Sequence, residues 1–233
     1  MDHTVKAFDD DLNRLRGLVS EMGSRAEHAV MRAIAALDSG DLDGAQLVVA
    51  EDRAIDELEA DVERMVVQTI ALRAPMADDL RAMIAALKIA AELERVGDYG
   101  KSIAKRAPLL TQRTIRSIPL LKSMAALATD ILRDVMKAYA GQDAQLAASA
   151  AARDKGVDDF YNGVFRALIA HMLENPQVIS ECAHLLFVAK NIERIGDHAT
   201  NVAEMVYFAA TGERMEEREK GADPLDGPGA GAE

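Results

Sequence analysis

The second half of this 233-residue chain repeats the first, and that repetition limits the fold more than any other feature. The stretch SGDLDGAQLVVAEDRAIDELE is answered by AGQDAQLAASAARDKGVDDFY. This sets Asp41, Asp52 and Asp56 against Asp143, Asp154 and Asp158, each 102 positions further on. Later, LKIAAELERVGDYGKSIA is answered by LFVAKNIERIGDHATNVA, setting Glu94, Arg95, Gly97 and Asp98 against Glu193, Arg194, Gly196 and Asp197, each 99 positions further on. A small difference in loop length reconciles the two offsets. Such self-similarity indicates duplication of a three-helix unit of roughly 100 residues.

Each unit reads as three long helices. Phe8, Leu12, Leu15, Val19, Met22, Ala26 and Val30 recur near helical spacing and predict a first helix from about Val5 to Leu37,. Ser39-Gly40-Asp41 ends it and offers Asp41 as the N-cap of a second helix, which runs to about Leu72 before Pro75,. A third runs from about Asp78 to Arg106 and stops before Pro108,. The second unit follows the same plan. Its first helix ends near Ala140-Gly141, its second spans Asp143 to about Leu173, and its third spans about Val178 to Ala210. The expected fold is all-α, with six long helices in two tandem, pseudo-symmetric three-helix bundles around a pseudo-two-fold axis. The expected division is 1–107 for the first repeat, 108–118 for a connector, 119–211 for the second repeat, and 212–233 for a charged, then Gly- and Pro-rich disordered tail,.

Composition agrees and narrows the function. Aromatics are 4% of the chain and Trp is absent, whereas strands draw on aromatic and β-branched residues,. Formal net charge is −12, which repels nucleic acid and anionic lipid unless a local basic patch exists,. The single cysteine, Cys182, excludes an internal disulfide and fits a reducing compartment,. The N-terminus carries no apolar signal stretch, and no uninterrupted apolar run approaches a membrane span,. The expectation is a cytoplasmic protein that meets a membrane only through partners.

The chemistry lies in the acids. Each repeat carries two carboxylate pairs at i, i+4: Asp52/Asp56 with Glu94/Asp98, and Asp154/Asp158 with Glu193/Asp197. That spacing stacks both members on one helix face, where like charges cost a few tenths of a kcal/mol per pair. A bridging cation reverses the sign, and Mg²⁺, Mn²⁺ or iron suits carboxylate oxygens. Chance alone supplies roughly six such pairs at this acid content. These four stand out because they recur in both repeats and continue apolar stripes, such as Leu80, Ile84, Leu87 and Ala91,. Against a metal stands a solvated acidic face with Arg95 and Arg194 as ion-pair partners. Gly97 and Gly196 sit mid-helix, where Gly costs about 1 kcal/mol, so close approach of another helix or an ion is expected there.

Other candidates are weaker. Glu181-x-x-His184 has di-iron spacing, but such sites need two copies, and a surface pair is the simpler reading,. His198 follows Asp197 and reads as polar surface, its repeat counterpart being Tyr99. Cys182 and the methionines read as core. No phosphate-binding loop, nucleophile elbow or HExxH appears,.

The segments ELERVGDYGKSIAKRA and NIERIGDHATNVAEMV resemble the PhoU family, and the resemblance extends from Phe8 to Gly212. It implies tandem three-helix bundles and a non-enzymatic negative regulator of phosphate uptake and phosphate-starvation signalling. Such a protein links the ATPase of the phosphate-specific ABC transporter to a two-component sensor histidine kinase, and often forms a homodimer. The resemblance also implies bound metal ions (iron, manganese, magnesium or zinc) at Asp52, Asp56, Glu94, Asp98, Asp154, Asp158, Glu193 and Asp197. Two alternatives stay open, a carboxylate-bridged di-metal oxidase and a metal-free helical scaffold.

Overall fold

A computed structural model describes residues 2–110 and 119–216, with side chains from residue 8 onward. Of the expected connector at 108–118, residues 111–118 lie outside the described residues, as do residues 217–233 of the expected tail.

Every described element is helical. The first repeat contains α1 (Asp2–Ser39), α2 (Leu42–Glu51), α3 (Arg53–Arg73) and α4 (Ala77–Ala104). The second contains α5 (Leu120–Gly141), α6 (Ala144–Ala151), α7 (Asp154–Glu174) and α8 (Ile179–Thr211). Single 3₁₀ turns lie at Ala107–Leu109 and Pro176–Val178. The six expected segments are present, with one correction made twice. The second helix of each repeat is broken, between α2 and α3 at Asp52 and between α6 and α7 at Ala152–Arg153.

The caps match between repeats. Asp41 accepts from Gly44 N at 2.9 Å and Asp143 from Leu146 N at 2.9 Å, each meeting a backbone donor that the first turn leaves unpaired,. The breaks match as well. Ile55 N donates to Asp52 O at 2.8 Å, while Asp56 N reaches the same oxygen only at 3.4 Å. In the second repeat, Arg153 N donates to Ala150 O at 3.1 Å and Gly156 N to Arg153 O at 2.9 Å. These are 3₁₀-type bonds, which tighten the turn and shift the helix register. Asp52 nonetheless keeps right-handed helical angles, φ −55° and ψ −39°.

Packing joins the two repeats into one continuous core of Ala, Val, Leu, Ile and Met. Met22, Met83 and Met124 fill it and Cys182 is buried, as the sequence led us to expect, although Met76 is 79% exposed at the α3–α4 turn. Two antiparallel helix pairs make the junction. On one side α1 meets α5, where Arg133 bonds Glu27 at 2.7 Å and Lys122 reaches Asp38 at 2.6 Å. On the other, α4 meets α8, with Arg81 against Phe208, Tyr99 against His198, and Arg106 against Phe187. Tyr99 and His198 are equivalent in the repeats, so their contact puts the pseudo-two-fold axis between them. The broken helices α2/α3 and α6/α7 pack on α4 and α8 respectively.

Candidate functional site

Each break carries an aspartate inward. Asp52 and Asp154 are among the few buried polar residues, 5% and 2% exposed. The facing position on the neighbouring helix is Gly97 or Gly196. A Cβ at residue 97 would lie 2.7 Å from Ile55 Cδ1 and 3.8 Å from Asp52 Oδ1. A Cβ at residue 196 would lie 2.5 Å from Asp154 Oδ1. The mid-helix glycines therefore exist to admit the broken helix, which meets the expectation of a close approach.

In the first repeat, Lys101 organises the acids. Its Nζ donates to Asp52 Oδ2 at 2.5 Å and to Asp98 Oδ1 at 3.1 Å, and these bonds push its pKa above the usual lysine range. Glu94 is pushed up to about 7 by burial, by the charges of Asp98 and Glu59, and by a hydrogen bond with Asp98. Asp56 is raised by burial and by Asp52, with Lys101 opposing. These couplings gather all four expected acids of the repeat into one cluster.

In the second repeat a different cation meets the acids, through Glu193. Lys190 Nζ donates to Glu193 Oε1 at 2.8 Å and lies 5.1 Å from the centre of the Tyr161 ring. Burial raises the Glu193 pKa, Lys190 opposes, and Asp197 and Asp158 add to the rise. Glu193 Oε2 is buried with no hydrogen-bond partner among the described residues. The position equivalent to Lys101 is Thr200, itself buried.

The expected partners Arg95 and Arg194 make no ion pair with the eight acids among the described residues, although the Arg95 charge acts on neighbouring Glu59. Arg95 is exposed, and Arg194 lies 5.8 Å from the Tyr99 ring centre. His198 also departs from its reading as polar surface. Its side chain is only 15% exposed, its Nδ1 is 2.6 Å from Glu92 Oε2, and its Nε2 is 3.3 Å from Tyr99 Oη. Asn201 bonds the same Glu92 oxygen at 2.9 Å, and these hydrogen bonds outweigh burial to hold Glu92 below the usual carboxylate range. His184, read above as half of a surface pair with Glu181, is 3.0 Å from Arg106 Nη1.

Carboxylates of this kind suit a hard cation, and the raised acids show how much a positive charge would relieve. Among the described residues, however, no three His, Cys, Asp or Glu side chains are already arranged to hold a metal. A metal entering the first cluster would have to displace the Lys101 ammonium.

Fold and site together define a tandem-repeat helical protein whose distinctive chemistry is a carboxylate cluster in each repeat. A PhoU domain matches twice, over residues 19–107 and 121–206. The chain belongs to the PhoU family. It is 49% identical to the phosphate-specific transport system accessory protein PhoU homolog of Zymomonas mobilis, over 98% of this chain and 97% of that one. It is 34% identical to the phosphate-specific transport system accessory protein PhoU of Escherichia coli, over 96% and 92%. The crystal structure of PhoU from Pseudomonas aeruginosa superposes with a TM-score of 0.81 at 32% identity, covering 88% of this chain and all of that one. The structure of the phosphate transport system regulatory protein PhoU from Streptococcus pneumoniae superposes with a TM-score of 0.84 at 27% identity, over 90% of this chain.

Proposed function

We propose that this protein is a non-enzymatic, cytoplasmic negative regulator of phosphate uptake and phosphate-starvation signalling. It acts as an adaptor between the ATPase of the phosphate transporter and a sensor histidine kinase. The observation that carries this reading is full-length likeness to proteins named as accessory to phosphate-specific transport, with both repeats retained. Absence of a membrane-crossing helix among the described residues is compatible with docking on a membrane complex from one side. In phosphate-replete cells the bundle would hold the kinase in its non-activating state. Deleting the gene should derepress phosphate-starvation genes in high phosphate, and unchanged repression would remove the proposal.

Within this reading, a metal would be held by Asp56, Glu94 and Asp98 with Asp52 in the first repeat, and by Asp158, Glu193 and Asp197 with Asp154 in the second. Its charge would offset carboxylate repulsion and offer a bridge to partner groups. The unmet Glu193 oxygen favours a cation in the second cluster. The Lys101 contacts favour the second reading, a scaffold that carries its own cation in the first. Elemental analysis of protein purified without chelator separates the two. A homodimer is proposed as the working assembly, to be read from the mass in solution.

A further inference from the structure

The α4–α8 seam presents a surface whose charge opposes that of the chain. Along the outer edge of α4, Arg81, Lys88, Glu92, Arg95 and Tyr99 follow one another at steps of seven, four, three and four, which sets them on one helical stripe, and Arg106 follows in the turn just past Ala104,. The facing stripe of α8, at 187, 191, 194, 198, 201, 205 and 208, contains no Asp or Glu. Glu92 is the lone acid along both stripes and is already engaged by His198 and Asn201, while Asp78, one turn before Arg81, pairs with that arginine at 2.9 Å and leaves Lys88, Arg95, Arg106 and Arg194 as the ridge's cations. A chain of net charge −12 thus keeps four Lys and Arg side chains without a carboxylate partner on these stripes together on one ridge.

Duplication does not account for this. At the 99-residue offset, Arg95 recurs as Arg194, but Arg81, Lys88 and Arg106 correspond to Ser180, Phe187 and Met205. One helix of the pair is cationic and its counterpart supplies apolar groups. Three of the guanidinium groups lie over aromatic rings: Arg106 at 4.4 Å from the centre of Phe187, Arg194 at 5.8 Å from Tyr99, and Arg81 at 6.0 Å from Phe208. Stacking of this kind orders an arginine before a ligand arrives and reduces the entropy lost on binding. Lys88 and Arg95 are exposed, and Phe187 is 57% exposed beside Arg106. Glu94 and Asp98 on α4, and Glu193 and Asp197 on α8, stand next to stripe residues along the chain and disfavour a broad acidic partner surface.

We propose that this ridge docks a narrow acidic segment of a partner protein, one helix or strand whose Asp or Glu side chains meet the cations while an apolar residue covers Phe187. The inference shares with the adaptor reading only the premise of a protein partner, and a synthetic probe tests it without that partner.

The experiment is fluorescence anisotropy of a labelled amphipathic helix built of Glu and Leu, titrated with the full chain at low and high salt. The paired variant Lys88→Glu/Arg95→Glu changes two exposed positions, and circular dichroism and thermal melting check its fold. Arg64→Glu/Arg166→Glu makes the same change in net charge on exposed positions of α3 and α7. The proposal expects salt-sensitive binding that weakens roughly tenfold or more in the ridge variant and holds in the flank variant. Equal loss in both variants, or no binding by the native chain, overturns it. So does tighter binding to single-stranded DNA or to phosphatidylglycerol vesicles than to the peptide.

Discussion

Tyr99 and His198 occupy the same position in the two repeats and touch each other, ring centres 5.4 Å apart and Oη 3.3 Å from Nε2. Equivalent residues of a duplicated unit meet only on the axis that relates the copies. The seam there is polar, since Glu92 accepts from Asn201 and pairs with His198 across it. Replacing Glu92 by Ala strands these partners in a half-buried setting. We expect a loss of about 1–3 kcal/mol in stability, measured by urea unfolding. Glu92→Gln, which retains one acceptor, should lose less.

Lys101 carries the first cluster. Its removal leaves Asp52, whose side chain is only 6% exposed, without its cation. Lys101→Met should destabilise the metal-free protein by about 3 kcal/mol or more in denaturant unfolding. Added Mn²⁺ should recover part of that loss, because it can take the place of the ammonium among the same carboxylates.

Glu94 gives a pH signature of opposite sign to an ordinary salt-bridged acid. Its pKa is about 7 in the folded chain against 4.5 unperturbed, so the folded state resists its ionisation. The penalty is full above about pH 7, shrinks as pH falls, and vanishes below the unperturbed value,. In chelator-treated protein, Glu94→Gln should raise the melting temperature above neutrality and confer no gain below pH 4.5.

The two facing glycines should differ in their tolerance. A Cβ at Gly97 meets the end of the flexible Ile55 side chain at 2.7 Å, while one at Gly196 meets the buried Asp154 carboxylate at 2.5 Å. Gly97→Ala should be close to neutral, because a gain in helix propensity of about 1 kcal/mol offsets a small side-chain shift. Gly196→Ala should cost about 1–3 kcal/mol by thermal melting.

Much of this was legible in the residues, and the rest was hidden for identifiable reasons. The repeat, the helix ends at Ser39-Gly40 and before Pro75, and the caps at Asp41 and Asp143 could all be read, since each rests on local chemistry. The breaks at Asp52 and Arg153 could not. No Pro marks either one, Gly156 stands one turn past only the second, and the backbone stays in the right-handed region, so apolar periodicity runs through them. Gly97 and Gly196 were the outside sign of those breaks, visible as misplaced glycines but not yet as the places where α2/α3 and α6/α7 lean in. The acids fell into two clusters, yet their cations were misread. Spacing pointed to the adjacent Arg95 and Arg194, whereas helix phase turns both toward the seam and leaves Lys101 and Lys190 to reach the carboxylates. His198 looked like surface because only the antiparallel pairing of α4 with α8 brings Glu92 and Tyr99 to it.

Co-purification under native conditions tests the central claim most directly. The tagged chain, expressed at its natural level in phosphate-replete cells, should bring down both the transporter ATPase and the sensor kinase, and should release the kinase on phosphate starvation. Recovery of neither protein, or identical recovery in both conditions, would contradict the adaptor account.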